Sequence, residues 1–183
     1  YITPPTKLDA NEFSFVENSG KTNSYKTITS TNSSELENLW VTGSGAGSKA
    51  TGYWVDSDGQ EATFTNLGNI YVTAVDGANS WSQRAIGAAD GATAINKGTI
   101  VVQNAYGMTV GSDKNGSTPA KIINEGSIAV YDTGAAMELG GVKGSTAENK
   151  GQIYVSKPSP STNKEAFTIG VLVKDHEEGK FTN

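Results

Sequence analysis

Hydrophobic and polar residues recur along this chain in one short pattern, Asn-x-Gly-x-Ile-x-Val. The pattern occupies residues 66–72, 96–102, 124–130 and 149–155, and successive asparagines are 30, 28 and 25 residues apart. Side chains alternate between the two faces of a strand, so the Ile and the Val of each copy point to the same side. A repeat of this length is typical of a solenoid in which each copy stacks on the one before.

Two further apolar patterns complete each repeat. The residue two positions before the Asn is usually apolar, and a third short strand lies roughly midway between copies. The first set is Phe64, Ala94, Ile122, Ala147 and Phe181, and the inward pairs of the third strand are Tyr53/Val55, Met108/Val110, Met137/Leu139 and Ile169/Val171. In the copy at 85–90, Asp90 falls on an inward position, so we expect that strand to stop near Ala89.

Three short strands per repeat without helical periodicity predict an all-β fold, a parallel β-helix (β-solenoid) of about five to six rungs. A β-sandwich of short strands is the competing architecture, but it does not require similar strands at constant spacing. The Asn-x-Gly steps are predicted corners. We expect the Gly to supply a positive φ, the Asn to adopt a left-handed conformation or bond its own turn, and stacked Asn amides to form a ladder. The corner residues are Asn66, Gly68, Asn96, Gly98, Asn124, Gly126, Asn149 and Gly151.

The domain prediction separates a degenerate or capping N-terminal part, residues 1–49, from regular rungs at 50–183. Residues 16–22 match the corner pattern only in part, with Thr22 in place of Ile. Terminal repeats are commonly atypical because they shield the open end of a stack. We expect one continuous domain that is a segment of a longer polypeptide, since the chain lacks an initiator Met and ends where another motif would begin.

Composition narrows the range of partners. Hydrophobic residues make up 36% and charged residues 18% of the chain, with 22 glycines, no cysteine and a net charge of −5. Such abundance of small and polar residues suits short strands separated by tight turns. No basic cluster is present, so a nucleic-acid partner is not expected. No run of about 18 apolar residues exists, so we expect no membrane insertion by this segment.

The Asn-x-Gly-x-Ile-x-Val corners and the Ala-x-Gly-Met strand at 105–108 resemble the passenger domains of autotransporters, the type V secreted adhesins of bacteria. The resemblance covers about residues 50–183. It implies a right-handed β-helix that folds outside the cell. It also implies a bacterial cell-surface location, with anchoring through an outer-membrane barrel that is not part of this sequence.

The residues that chemistry requires are largely missing. A Ser-His-Asp triad needs a histidine base, and His176, the only histidine, lies in a charged segment that reads as a turn. Residues 56–61 contain part of a calcium-loop pattern, but Asp58-Gly59 is also a common turn pair. No acidic pair falls on the outward motif positions, where a glycosidase would need one. We therefore predict no catalytic residue, no metal site, no cofactor and no enzymatic activity.

Binding is the predicted activity. Tyr71, Val101, Ala129 and Tyr154 fall on one outward stripe, and Trp81 lies in a long loop. Contiguous apolar surface and exposed aromatic residues often mark interfaces. The leading hypothesis is an adhesin segment that binds a host-cell protein or glycan receptor, or associates with itself between cells. The alternatives are a stalk that presents a tip elsewhere and a carbohydrate-active β-helix enzyme.

Overall fold

The structure, a computed structural model, describes residues 13–19, 22–29, 32–44, 49–75, 83–110, 118–140, 142–156, 167–174 and 179–183. Within these residues the strands form three parallel sheets. Sheet A contains Ser14–Ser19 (β1), Asn38–Ser44 (β4), Asn69–Val75 (β7), Thr99–Gln103 (β10), Ser127–Tyr131 (β13) and Gln152–Val155 (β16). Sheet B contains Thr22–Ile28 (β2), Lys49–Asp56 (β5), Arg84–Ala89 (β8), Tyr106–Val110 (β11), Gly134–Leu139 (β14) and Thr168–Val173 (β17). Sheet C contains Ser33–Glu35 (β3), Ala62–Asn66 (β6), Ala92–Asn96 (β9), Lys121–Asn124 (β12), Thr146–Asn149 (β15) and Lys180–Thr182 (β18).

Each strand pairs with its counterpart one repeat earlier and one repeat later, so every rung contributes one strand to each sheet. Six strands per sheet give six rungs, and the predicted right-handed parallel β-helix is confirmed. No helix among the described residues is long and apolar enough to cross a membrane. The structure does not test the division at residue 49, although β1 to β4 continue the same three sheets.

The repeated apolar residues build the core. Ile70, Ile100 and Ile128 stack in register through β7, β10 and β13, and each is at most 1% exposed. The apolar position two residues before each Asn points inward as predicted, since Phe64 and Ile122 are fully buried. Alternation of side chains along short strands thus places one β-branched pair and one further apolar residue of each rung in a shared core.

Strands of sheet B place two consecutive residues in the core. Ala85 and Ile86 are both buried there, as are Ala136 and Met137. The second of these positions is large and the first small, as in Ala85-Ile86 and Ala136-Met137. Register also corrects one predicted pair: Ile169 lies opposite Ala135, so Val171 and Val173 occupy the positions of Met137 and Leu139. The prediction that β8 stops at Ala89 is confirmed.

The corner glycines have a different role from the predicted one. None of the four has a positive φ; among the described non-glycine residues, positive φ values belong to Asp58, Asp90, Asn104 and Asp132. A Cβ on Gly98 would instead overlap the carbonyl oxygen of Gly68, and one on Gly126 would overlap that of Gly98. Glycine is therefore required because neighbouring rungs approach closely at this corner.

The predicted ladder of asparagine amides is confirmed. Asn66 Nδ2 donates to Asn96 Oδ1, and Asn96 Nδ2 donates to Asn124 Oδ1, both at 2.9 Å. The next step, from Asn124 to Asn149, has the same length, and Asn149 donates to Asn183 at 2.8 Å. Each Asn also bonds its own turn, as Asn66 Oδ1 does by accepting from the Gly68 amide at 3.2 Å. The first three members are fully buried.

The N-terminal corner was predicted at the wrong place. Asn18 lies in β1 and pairs with Gly43 in sheet A. The corner position belongs to Glu35, which lies opposite Asn66 and ends the ladder. Lys26 Nζ forms ion pairs with Glu35 and Glu37 at 3.0 and 2.9 Å, so one ammonium bridges the two carboxylates of this corner.

We expect Asn96→Ala to lower the free energy of unfolding by about 2 kcal/mol, because it leaves buried amide groups of Asn66 and Asn124 without their partner. Asn69→Ala is the matched control, since Asn69 also donates to an asparagine, Asn38, but in an exposed position at 2.8 Å. That variant should lose less than about 0.5 kcal/mol. Urea unfolding of both variants measures the difference, and equal losses would contradict a stabilising role for the ladder.

Candidate functional site

The predicted outward stripe is only partly accessible. Tyr71, Val101, Ala129 and Tyr154 do align across sheet A. Val101 and Ala129, however, are each 1% exposed, whereas Tyr71 is half-buried and Tyr154 is 37% exposed. The expected exposure of Val101 is therefore wrong, because outward direction on a strand does not guarantee contact with solvent. A binding role for the two tyrosines stays a prediction, and Trp81 lies outside the described residues.

The accessible ends of this stripe carry aromatic contacts. The Phe13 ring lies 5.9 Å from that of Trp40 and 5.3 Å from that of Tyr71. At the other end, the Tyr131 and Tyr154 rings are 5.9 Å apart. These contacts stabilise neighbouring strands on the outer side of sheet A.

Three carboxylates meet at the turns between sheets B and C. Oxygen atoms of Asp56, Asp58 and Asp90 lie within 4.8 Å of one another, and oxygen donors suit Ca²⁺. Asp56 Oδ1 already accepts from the Asp58 amide at 3.2 Å, and Asp90 Oδ1 from the Thr118 amide at 2.9 Å. The Asp56 carboxylate thus serves its own turn and that of Asp90 links its turn to the next rung. The prediction of no metal site remains untested. His176 lies outside the described residues.

A second polar cluster lies on the outer side of sheet B. Arg84 donates to Thr109 Oγ1 at 3.4 Å and its guanidinium lies 5.8 Å from the Trp54 ring centroid. Burial lowers the pKa of Arg84, and the Glu138 carboxylate opposes that shift; burial and then Glu138 raise the pKa of Tyr106. Tyr106 and Thr109 are each 1% exposed. The two hydroxyl-bearing side chains of the cluster are therefore closed to a polymeric ligand.

Sheet C presents the open face of the solenoid. Its outward side chains form two rows in register across the rungs. All of them are half-buried or exposed, whereas several outward positions on sheets A and B, such as Val101 and Tyr106, are buried. The first row is Thr63, Thr93, Lys121, Thr146 and Lys180, and the second is Ser34, Thr65, Ile95, Ile123, Glu148 and Thr182. We call this surface the sheet C face.

A groove of about 510 Å³ runs along the first row of the sheet C face. Threonines from three rungs and Lys121 line one side, and the turns that precede sheet C, including Glu61 and Pro119, line the other. Because parallel strands lie about 4.8 Å apart, the four rungs from β6 to β15 give this groove a length of roughly 14 Å. The groove is shallow, and its polar lining side chains repeat from one rung to the next. These properties suit an extended polymer.

Two lysines on this row have ammonium groups that contact no acceptor among the described residues. Among the described lysine side chains, those of 26, 97, 150 and 174 form ion pairs with glutamates. Lys121 and Lys180 are exposed and their ammonium groups contact no described acceptor. The row therefore carries two positive charges that no described side chain neutralises, separated by Thr146.

Sequence reasoning missed the sheet C face because its residues come from separate repeats. The available signal was the polar position between two inward residues in the strand before each Asn, as in Ala62-Thr63-Phe64 and Ala92-Thr93-Ala94. The alternation marks Thr63 and Thr93 as outward. That they share an open groove depends on the path of turns from neighbouring rungs.

Comparison with known proteins gives one match. The family model described as the BigA third pectate lyase-like domain matches residues 9–183. The chain has no match among curated proteins and none among solved structures.

Proposed function

This chain belongs to the BigA third pectate lyase-like domain family, a family of bacterial surface-protein domains, and on that premise we propose that it is a non-enzymatic adhesion segment. Its contact surface would be the sheet C face. The observation that carries the proposal is the continuous accessibility of that face across the rungs, while outward residues such as Val101 and Tyr106 are buried on sheets A and B.

Adhesion suits the physical properties of this face. A rigid stack of rungs holds the two outward rows in fixed register. Binding therefore does not carry the additional entropic cost of ordering the protein. Half-buried Ile95 and Ile123 supply apolar contact area between polar neighbours. We further propose display on the bacterial surface in the manner of an autotransporter passenger, with a host-cell receptor or a second copy on another cell as the partner.

Adhesion of beads coated with the purified chain to cultured epithelial cells, and aggregation of the beads themselves, test the proposal. We expect Thr93→Arg, which places a bulky side chain in the groove, to reduce adhesion several-fold. Thr99→Arg is the matched control, because Thr99 is also half-buried and outward but lies on sheet A. Unchanged melting temperatures would establish that both variants are folded.

Equal adhesion by the two variants would overturn the assignment of the contact surface. If adhesion also survived removal of one whole rung, the stalk hypothesis would be favoured. Release of unsaturated sugars from polygalacturonate, abolished by an Asp-to-Asn substitution, would instead favour a carbohydrate-active enzyme.

A further inference from the structure

We propose that the groove on the sheet C face binds an extended acidic glycan whose carboxylates recur on every second sugar. This inference rests on the proposed function, because it names the ligand class of the same face. Three properties of the first row carry it: its spacing, its hydroxyl groups and the positions of its two lysines.

The spacing of the row matches that of a linear glycan lying along the solenoid axis. Thr63, Thr93, Lys121 and Thr146 stack directly above one another through β6, β9, β12 and β15. Each step is about 4.8 Å, which is close to the length of one sugar residue in an extended chain. Every rung therefore presents one side chain to one sugar, and contacts repeat without a change of register.

The side chains of the face suit both aspects of a sugar ring. A threonine hydroxyl donates one hydrogen bond and accepts two, as the hydroxyl groups of a sugar do. The second row adds Ile95 and Ile123, which are adjacent and half-buried. Their side chains offer apolar surface to the C–H groups on the flat side of a pyranose, while the first row bonds to the hydroxyls at its edge.

The charges specify an acidic glycan and its periodicity. Lys121 and Lys180 are two rungs apart, or about 10 Å, with Thr146 between them in the first row. Glu148, beside Thr146 in the second row, is paired with Lys150 at 3.6 Å and disfavours a carboxylate at that rung. An ammonium group forms charge-assisted hydrogen bonds with a carboxylate. Carboxylates on alternate sugars would meet both lysines, and the neutral sugar between them would meet Thr146. Glu61, exposed at the opposite end of the groove, repels a carboxylate there and so fixes where the charged part of the glycan lies.

The remaining charge of the chain argues against a nucleic acid in the same groove. A phosphate polymer carries a charge on every residue and requires several cations. Net charge is −5, and only two ammonium groups of the row lack an acceptor among the residues that the structure describes. A sparsely charged polymer is the better complement, and its repeated weak contacts along repeated rungs add to a useful affinity.

Calorimetric titration with a hyaluronan octasaccharide, which carries a carboxylate on alternate sugars, tests the inference against a neutral chitin octasaccharide. We expect the hyaluronan fragment to bind more tightly and its affinity to fall with added salt. Lys121→Gln and Lys180→Gln should each weaken binding about three- to fivefold, and the double variant about tenfold or more. Lys97→Gln is the control, because Lys97 is exposed at the corner between sheets C and A and should leave the affinity unchanged.

Equal binding of the neutral and acidic fragments, or lysine variants that bind hyaluronan as the parent does, would overturn the inference. Absence of hyaluronan binding, together with loss of cell adhesion in Thr93→Arg, would overturn it and leave the proposed function intact. Lysine-dependent hyaluronan binding with undiminished cell adhesion in Thr93→Arg would support the glycan site and overturn the proposed adhesive role of this face.

Discussion

Ile128→Asp should lower the free energy of unfolding by about 4 kcal/mol or more, the largest effect expected of a single substitution in this chain. Ile128 is 1% exposed and stacks between Ile100 and Ile153 in sheet A. The substitution removes buried apolar volume and places a carboxylate in a core that offers it no cation. The free energy of unfolding of native proteins is only about 5–15 kcal/mol, so this loss would remove a large fraction of it.

Chemical denaturation of the parent and variant measures this effect. Ile123→Asp is the matched control, because Ile123 lies in a neighbouring strand of the same rung but points outward and is half-buried. We expect it to cost about 1 kcal/mol or less. If Ile128→Asp does not fold at all, Ile128→Ala provides a measurable substitute, with an expected loss of about 2–5 kcal/mol. A small effect at position 128 would contradict the inward assignment of the whole Ile series.

Gly98→Ala should destabilise the fold by about 3 kcal/mol, although it adds a single methyl group. The new Cβ would overlap the carbonyl oxygen of Gly68 in the preceding rung. Backbone atoms on both sides are fixed by hydrogen bonds, including Thr99 N to Gly68 O at 3.0 Å. The overlap can therefore be removed only if the two rungs separate at the corner, and that separation strains the adjacent asparagine ladder.

Gly170→Ala separates this steric effect from a general effect of replacing glycine. The nearest atoms to a Cβ at position 170 are Val155 Cγ2 at 3.6 Å and Ile153 Cγ2 at 3.8 Å, which are ordinary contacts. Alanine there should be neutral or stabilise the fold by up to about 1 kcal/mol, through lower entropy of the unfolded chain. Gly98→Ala should thus lower the melting temperature, whereas Gly170→Ala should leave it unchanged or raise it. Equal shifts would show that contact between rungs does not explain the corner glycines.

The fold could be predicted from the sequence because its determinants are local and repeated. A two-residue alternation assigns Ile and Val to one face, and the constant position of Asn implies that copies stack. The reason for the corner glycines could not be found this way, since Gly68 and Gly98 constrain each other across 30 residues. The pair Ile169/Val171 was displaced by two residues because the register of β17 depends on its pairing with β14.

The candidate site was harder to predict from the sequence than the β-helix itself. Val101 alternates as an outward residue, yet it is 1% exposed between Tyr71 and Ala129 of the neighbouring rungs, which the pattern of a single strand does not contain. The groove residues, such as Thr63, Thr146 and Lys121, are isolated polar positions in separate repeats of the sequence. Only stacking turns them into a row, and only the turns beside sheet C give that row a second wall.

The direction of the hydrogen bonds between rungs has a mechanical consequence. All three sheets are parallel, with each strand bonded to its copies above and below, so their interstrand bonds run along the solenoid axis. A pulling force along that axis breaks the hydrogen bonds between one pair of rungs before those of the next pair. Each rung that detaches would release 25–34 residues of chain, roughly 80–120 Å of extended length. A domain built in this way lengthens in steps under load while its remaining rungs stay folded and keep their outward rows in register.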